Sequence, residues 1–158
     1  MGNIFAASEV LEIGIQIEKN GRDFYSVLAT QAKSHKTQDI FQYLAEQEGK
    51  HITVFQKLLD KTEKYEPQGL DVEQYFAYMN ALASESVFTQ KDKGKDIANK
   101  MKSDKEAIDM GIGTEKDSVV FYEGMKKVAP SYDQKIIDEI IAQEQGHLKQ
   151  LSELKANL

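Results

Sequence analysis

The sequence has no cysteine among its 158 residues. These residues therefore cannot form disulfides, thiolate zinc sites or iron–sulfur clusters, and they cannot carry out thiol catalysis. The absence fits a reducing cytosol, and we expect a cytoplasmic protein. The length fits a single domain over 1–158, large enough to bury a real core.

Long apolar runs and a basic surface are also missing. The N-terminus has no basic region followed by an apolar one, so we expect neither a signal peptide nor a membrane span. The net charge is −6, with lysines and acidic residues interspersed along the chain. Because phosphate binding needs a basic face, the composition argues against nucleic acid as a partner.

Only two prolines occur, and both stand where helical periodicity stops. Helices are predicted almost everywhere else, with Ser34, His35 and Lys36 as a turn. The first expected helix runs from about Ser8, a possible N-cap, to about Ala32, and the second from about Thr37 to about Lys64. The third starts at a capping box formed by Ser103 and Glu106 and ends before Pro130. The fourth starts at a second box, Ser131 and Gln134, and runs nearly to the C-terminus.

A long connection, 65–102, separates the helix pairs 8–64 and 103–156. It carries one amphipathic stretch of apolar residues at helical spacing: Val72, Tyr75, Phe76, Met79, Leu82 and Ala83. A connection of this length can travel the whole bundle. The prediction is an all-α, ferritin-like four-helix bundle made of two helical hairpins joined by a long, partly helical crossover.

The two helix pairs contain the same glutamate-containing sequence motifs. Glu48 and His51 form a Glu-x-x-His motif, and Glu144 and His147 form another. Each is preceded by a lone glutamate in a second shared phrase, at Glu18 in EKNGRDFY and at Glu115 in EKDSVVFY. The chain therefore reads as an internal duplication, and each half supplies two glutamates and one histidine.

All four glutamates are flanked by apolar residues at helical spacing, so all four are predicted to point into the core. Burying one unpaired carboxylate costs several kcal/mol, and four would match the roughly 5–15 kcal/mol stability of a whole domain. Two divalent cations would balance the four negative charges, and two neutral imidazoles would complete the coordination. The sequence predicts a two-metal site.

Tyr25 and Tyr122 occupy the same place in the repeat, seven residues after Glu18 and Glu115. One interpretation is a core tyrosine with a satisfied hydroxyl. The favoured one is that each hydroxyl donates to a metal-binding carboxylate and orients it. The two tyrosines are therefore the candidate catalytic residues outside the ligand set.

Simpler interpretations apply to other residues. The repeat could be degenerate, with both motifs retained but the metal no longer bound. His35 is expected on the surface, and Tyr75, Phe76 and Met79 are expected in the core or at a subunit contact. Four further glutamates are expected in solvent: Glu9, Glu12, Glu46 and Glu139. Glu85, in the crossover, is kept only as an outside candidate for the site.

At these motifs the chain resembles the rubrerythrin-like branch of the ferritin-like di-iron carboxylate superfamily. The resemblance covers both helix pairs, about two-thirds of the chain by our reading of the repeat. It implies six metal ligands: Glu18, Glu48, His51, Glu115, Glu144 and His147. It also supports the interpretation of Tyr25 and Tyr122, because family tyrosines stand at a similar distance from the glutamate.

Two departures separate the chain from rubrerythrins proper. Those proteins carry a further carboxylate one turn after the third helix's glutamate, where this chain has Ser118. They also carry a C-terminal rubredoxin module with four cysteines, and this sequence contains none. The closer resemblance is to short, stand-alone rubrerythrin-like proteins.

The resemblance implies a non-haem di-iron oxidoreductase that reduces hydrogen peroxide or dioxygen, with Glu48 and Glu144 bridging the ions. Without cysteine or a nucleotide-binding glycine motif, electrons would come from a separate protein such as a rubredoxin. Ferrous iron oxidation, storage or transfer is one alternative, and a metal-stabilised interaction protein without turnover is another. Manganese suits the same ligands. We expect a homodimer.

Overall fold

A computed structural model of the chain describes residues 4–62 and 71–158. Within these ranges the secondary structure consists of helices and turns, without a strand. In chain order the helices are α1 (Ala7–Gln31), α2 (His35–Leu59), α3 (Val72–Glu85), a short 3-10 helix (Val87–Thr89), α4 (Gly94–Asn99), α5 (Asp104–Lys126) and α6 (Ser131–Ala156). The predicted all-α class is confirmed.

The four long helices form a bundle of two hairpins. The turns that join α1 to α2 and α5 to α6 are so short that each pair must be antiparallel. Most contacts lie within the hairpins, and the two halves meet where α1 touches α5 and α2 touches α6. Side chains from all four helices form one continuous core. The ferritin-like architecture predicted from the sequence is therefore the observed one.

Two predicted helix starts in the first hairpin are wrong. Ser8 lies inside α1, whose N-cap is Ala6 with no side-chain hydrogen bond. His35 is the first residue of α2 rather than part of a turn. The physical reason is that Ser34 acts as the N-cap, with its hydroxyl oxygen accepting a hydrogen bond from the Thr37 amide at 3.1 Å.

Helix ends elsewhere also differ from the prediction. Helix α2 ends at Leu59, before the predicted Lys64, which lies outside the described residues together with Tyr65 and Pro67. The second predicted capping box is wrong, because Pro130 is the N-cap of α6 and Ser131 is already helical.

The first predicted capping box is confirmed in its main bond. Ser103 caps α5, and its hydroxyl accepts from the Glu106 amide at 3.1 Å. The Glu106 carboxylate accepts in return from the amide of Lys102, at 3.3 Å, instead of that of Ser103.

The crossover contains more helix than the sequence predicted. Its amphipathic stretch becomes α3, where Tyr75, Phe76 and Met79 are buried as expected, and the Tyr75 hydroxyl donates to the Gly124 carbonyl at 2.7 Å. Val72 was placed on the apolar face but is 52% exposed, because it is the first residue of α3. Helix α4 was not predicted. Helix α3 packs on α5, and α4 packs on α1.

Asn20 attaches the crossover to α1. Its amide nitrogen donates to the carbonyls of Phe88 and Gln90, both at 2.6 Å, and its amide oxygen accepts from the amides of Lys93 and Gly94 at 3.0 and 3.1 Å. Every hydrogen-bonding position of the side chain is used. The described helices include none long and apolar enough to cross a membrane.

Replacing Asn20 with Ala should destabilise the protein by roughly 2–5 kcal/mol, because four backbone groups lose their partner. The matched control is Asp117→Ala, since Asp117 holds the same place in the repeat and is exposed. Its cost should stay within about 0.5 kcal/mol. Urea unfolding measures both. Equal losses in the two variants would contradict the role given to Asn20.

Candidate metal centre

Six polar side chains meet in the middle of the bundle. Each of these residues is at most 4% exposed, although glutamate and histidine are seldom fully buried. They are the six predicted ligands: Glu18, Glu48, His51, Glu115, Glu144 and His147. One comes from α1, two from α2, one from α5 and two from α6. The structure therefore brings together every residue of the predicted set.

The Glu-x-x-His spacing explains how two helices supply four of the six. Residues three apart share one face of an α-helix, so Glu48 and His51 both face inward from α2. Glu144 and His147 do the same from α6. The two imidazole rings lie 6.0 Å apart between centroids and are inclined by only 20°.

The first group of donors surrounds Nδ1 of His51. This nitrogen lies 2.8 Å from Oε1 of Glu144, 3.4 Å from Oε1 of Glu18 and 4.0 Å from Oε2 of Glu48. Two ligands of one metal ion are typically each about 2.0–2.3 Å from it, so donor atoms about 3–4 Å apart fit a shared ion. The four residues form a possible metal-binding group.

The second group surrounds Nδ1 of His147. This nitrogen lies 3.6 Å from Oε1 of Glu115, 3.7 Å from Oε1 of Glu48 and 3.8 Å from Oε1 of Glu144. Glu48 and Glu144 belong to both groups, whereas Glu18 and Glu115 belong to one each. Glu48 presents a different carboxylate oxygen to each histidine.

Five nitrogen and oxygen atoms of these residues, all of which could bind a metal ion, are buried without a hydrogen-bond partner. They are Nδ1 of both histidines, Oε2 of Glu18 and of Glu115, and Oε1 of Glu144. His51 Nδ1 and Glu144 Oε1 are close at 2.8 Å, but their alignment does not make a hydrogen bond. Buried polar atoms that lack partners are rare in folded proteins. Positively charged ions bound between these atoms would supply the missing partners.

The two tyrosines connect the halves of the repeat. The Tyr25 hydroxyl donates to Oε1 of Glu115 at 2.9 Å, and the Tyr122 hydroxyl donates to Oε1 of Glu18 at 2.7 Å. Each tyrosine therefore serves the glutamate of the other half. Both donate to a carboxylate, as the favoured interpretation of the sequence required.

Comparison with known proteins assigns the family. The sequence profile of the rubrerythrin family matches residues 9–155, nearly the whole chain. The chain belongs to the rubrerythrin family. No curated protein matches the sequence.

A solved structure from Thermotoga maritima is similar to this chain over almost all of both proteins. It has 26% sequence identity and a TM-score of 0.70, and the match covers 99% of this chain and 98% of the other. That protein is described, provisionally, as a ferritin-like diiron-carboxylate protein. The fold, the family and the buried Glu/His cluster together support a di-iron protein.

Small residues make room for these side chains. A Cβ added at Gly111 would lie 3.2 Å from the Tyr25 hydroxyl, and one at Gly21 would lie 3.4 Å from the carboxylate carbon of Glu48. Ser118, which stands in the repeat position of Gly21 and where rubrerythrins proper carry a carboxylate, is buried and donates to the Thr114 carbonyl at 2.9 Å. No further carboxylate enters the cluster from this position.

The other candidate residues lie outside the cluster. His35, Glu12, Glu46, Glu85 and Glu139 are exposed. Glu9 is partly buried near the N-terminus, where its carboxylate accepts from the Phe5 amide at 2.6 Å.

Gln143 is a site neighbour that the sequence analysis missed. Its amide oxygen accepts from Nε2 of His51 at 2.5 Å. The signal was available, because glutamine precedes the glutamate in both motifs, at Gln47 and Gln143.

Burial dominates the protonation of the cluster. It raises the pKa of Glu144 well above its usual range, and the charges of Glu115 and Glu18 act in the same direction. Burial also raises the pKa of Glu18, although the nearby His51 ring opposes it. For Glu115 the effect of burial is outweighed by the neighbouring Glu144 carboxyl and His147 ring, and the pKa is lowered. The pKa of His51 is raised, because Glu18 outweighs the opposing effect of burial. Glu18, Glu144 and His51 of the metal-free site therefore bind protons more strongly than the same side chains do in water.

The metal-free protein should lose stability as the pH rises above the ordinary pKa values of glutamate and histidine, about 4.3 and 6.5. A raised pKa in the folded state means that this state binds more protons than the unfolded one, so the stabilisation is present at low pH and is lost as pH rises through the folded-state pKa. Glu18, Glu144 and His51 all act in this direction, and Glu115 opposes them. Urea unfolding of Glu144→Gln, which removes one titrating carboxyl, should show a weaker dependence. Stability that rises with pH above these values would contradict the assignment.

Proposed function

We propose that the six clustered side chains bind two metal ions. One ion would be held by Glu18, Glu48, His51 and Glu144, and the other by Glu48, Glu115, Glu144 and His147. Glu48 and Glu144 would bridge the ions. The observation that carries the proposal is that five nitrogen and oxygen atoms of these residues are buried without hydrogen-bond partners, and that the residues form two overlapping groups.

Charge and ligand chemistry fit this assignment. Two divalent ions carry four positive charges against the four negative charges of the glutamates, which removes the cost of burying unpaired carboxylates. Carboxylate oxygen and imidazole nitrogen suit iron and manganese. We propose iron, because the family and the solved relative both point to a di-iron site.

The proposed reaction is the reduction of hydrogen peroxide or, as the less favoured substrate, dioxygen. When bound, the two ferrous ions would supply one electron each, so that one peroxide and two protons give two waters. The four protein residues at each ion would leave coordination positions for a small oxidant.

The side chains of this chain hold the site in one geometry. Tyr25 and Tyr122 fix the terminal carboxylates of Glu115 and Glu18, as groups behind metal ligands commonly do. Burial raises the pKa of both tyrosines well above the usual range, so both remain protonated donors at neutral pH. They are positioning residues in this proposal.

Electrons for further turnovers would come from a separate redox protein, such as a rubredoxin, because the sequence has no cysteine for an iron–sulfur centre. A homodimer and a cytoplasmic location stay predictions. Light scattering tests the first, and a dimer would also exclude an iron-storage shell.

The test is to load the protein with ferrous iron without oxygen and mix it with one equivalent of peroxide. We expect two irons per chain and rapid oxidation of both, seen as a rise in visible absorption. Glu48→Ala should lose most of its iron and its reaction, because a carboxylate shared by both ions is gone. Glu46→Ala, an exposed neighbour on the same helix, is the matched control and should behave as wild type.

Two results would contradict the proposal. A Glu48→Ala protein that keeps two irons and reacts normally would remove Glu48 from the site. A wild-type protein that binds two irons but does not react with peroxide would favour an interaction or iron-handling role over peroxide reduction.

A further inference from the structure

The hydrogen bond between His51 and Gln143 crosses from one half of the molecule to the other. His51 lies on α2 and Gln143 on α6, and these two helices touch at few points. The bond joins the outer nitrogen of the imidazole, Nε2, to the amide oxygen of Gln143 at 2.5 Å. The inner nitrogen, Nδ1, faces the carboxylates of Glu18, Glu48 and Glu144.

This bond selects the form of His51 that can bind a metal ion. A neutral imidazole that binds metal through Nδ1 must carry its hydrogen on Nε2. The amide oxygen of Gln143 accepts that hydrogen, so it favours this tautomer and holds the ring in place. Such a partner behind a metal-binding histidine also raises the basicity of the ligand.

The second histidine lacks this partner. By the repeat, Gln47 is the counterpart of Gln143, but within the described residues Gln47 makes no hydrogen bond to His147. The ring of Tyr43 instead packs against His147 in a T-shaped arrangement, with centroids 6.3 Å apart and an angle of 84° between planes.

The asymmetry originates in the sequence. Tyr43 stands five residues before Glu48, and the corresponding residue before Glu144 is Glu139, which is exposed. The two halves therefore supply equal ligands but unequal surroundings. The His51 ring has a hydrogen-bond partner in Gln143, whereas His147 has no corresponding bond to Gln47.

We propose that Gln143 is a positioning residue that makes the His51 half of the site the tighter metal-binding position. The two ions then bind in order, the first with Glu18, Glu48, His51 and Glu144, and the second on the His147 side. This inference rests on the proposed two-metal site. It adds that the two positions are inequivalent and that a one-metal form of the protein exists.

The chain offers a direct way to see the order of binding. It has only three histidines, and the third, His35, is exposed and outside the site. We would titrate metal-free, nitrogen-15-labelled protein with zinc ion, a diamagnetic probe, and follow the ring signals by NMR. His35 serves as an internal reference. The readout is ring tautomer and metal occupancy, so it does not depend on enzyme activity.

In the wild-type protein we expect the His51 ring to respond to the first equivalent of zinc and the His147 ring to the second. Gln143→Leu should lower the affinity of the first step by about 10- to 100-fold, the usual effect of removing a partner of a metal-binding histidine. Binding on the two sides should then occur together. Gln143→Glu keeps an oxygen acceptor at this position and should keep the order.

Gln47→Leu is the matched control, because it removes the repeat counterpart of Gln143 and should change neither the order nor the affinities. Simultaneous responses of both histidines in wild type would overturn the inference. Equal effects of Gln47→Leu and Gln143→Leu would also overturn it, and both of these results leave the two-metal site intact. A wild-type protein that binds no metal would overturn the site and the inference together.

Discussion

Four buried carboxylates at the centre of the bundle are the constraint on which the rest of the structure depends. Glu18, Glu48, Glu115 and Glu144 are buried in the bundle together with its hydrophobic core. A core built for stability alone would not place four acids together, because their desolvation and mutual repulsion oppose folding. The proposed metal ions would offset this cost, and the fold brings the four carboxylates to positions from which they could bind them.

The site is assembled across the two halves of the repeat. Each tyrosine donates to the glutamate of the other half, and the amide oxygen of Gln143 accepts from the histidine of the other half. The two hairpins share fewer contacts with each other than each makes within itself. Metal binding would therefore stabilise the packing of one hairpin on the other as well as neutralise the charges, since a ligand that binds only the folded state raises its stability.

Duplication explains why the sequence revealed so much of the site. A single Glu-x-x-His motif says little, but two motifs with matching glutamates and tyrosines identify one face on each of four helices. Helical spacing then predicts the inward direction of each carboxylate. The six clustered residues could be predicted because this information is local and is repeated.

What could not be predicted depends on distances between helices. Nothing local indicates that Tyr25 pairs with Glu115 and not with a glutamate of its own half. In the sequence Asn20 is an ordinary polar helix residue, and only the folded structure shows that its side chain donates to the backbone of the crossover. Ser8 and Ser131 are reasonable caps by residue type, but the backbone becomes helical before each could act. Gln47 and Gln143 each precede the glutamate of their motif, and only the packing of the helices shows that Gln143 reaches a histidine and Gln47 does not.

The central claim is that two metal ions lie in two overlapping groups that share Glu48 and Glu144. The most direct measurement is anomalous diffraction at the iron absorption edge from crystals of iron-loaded protein grown without oxygen. The account predicts two peaks about 3.5–4 Å apart, the usual separation in two-metal sites, one beside His51 and one beside His147. A single peak, or iron bound elsewhere with the cluster empty, would contradict it.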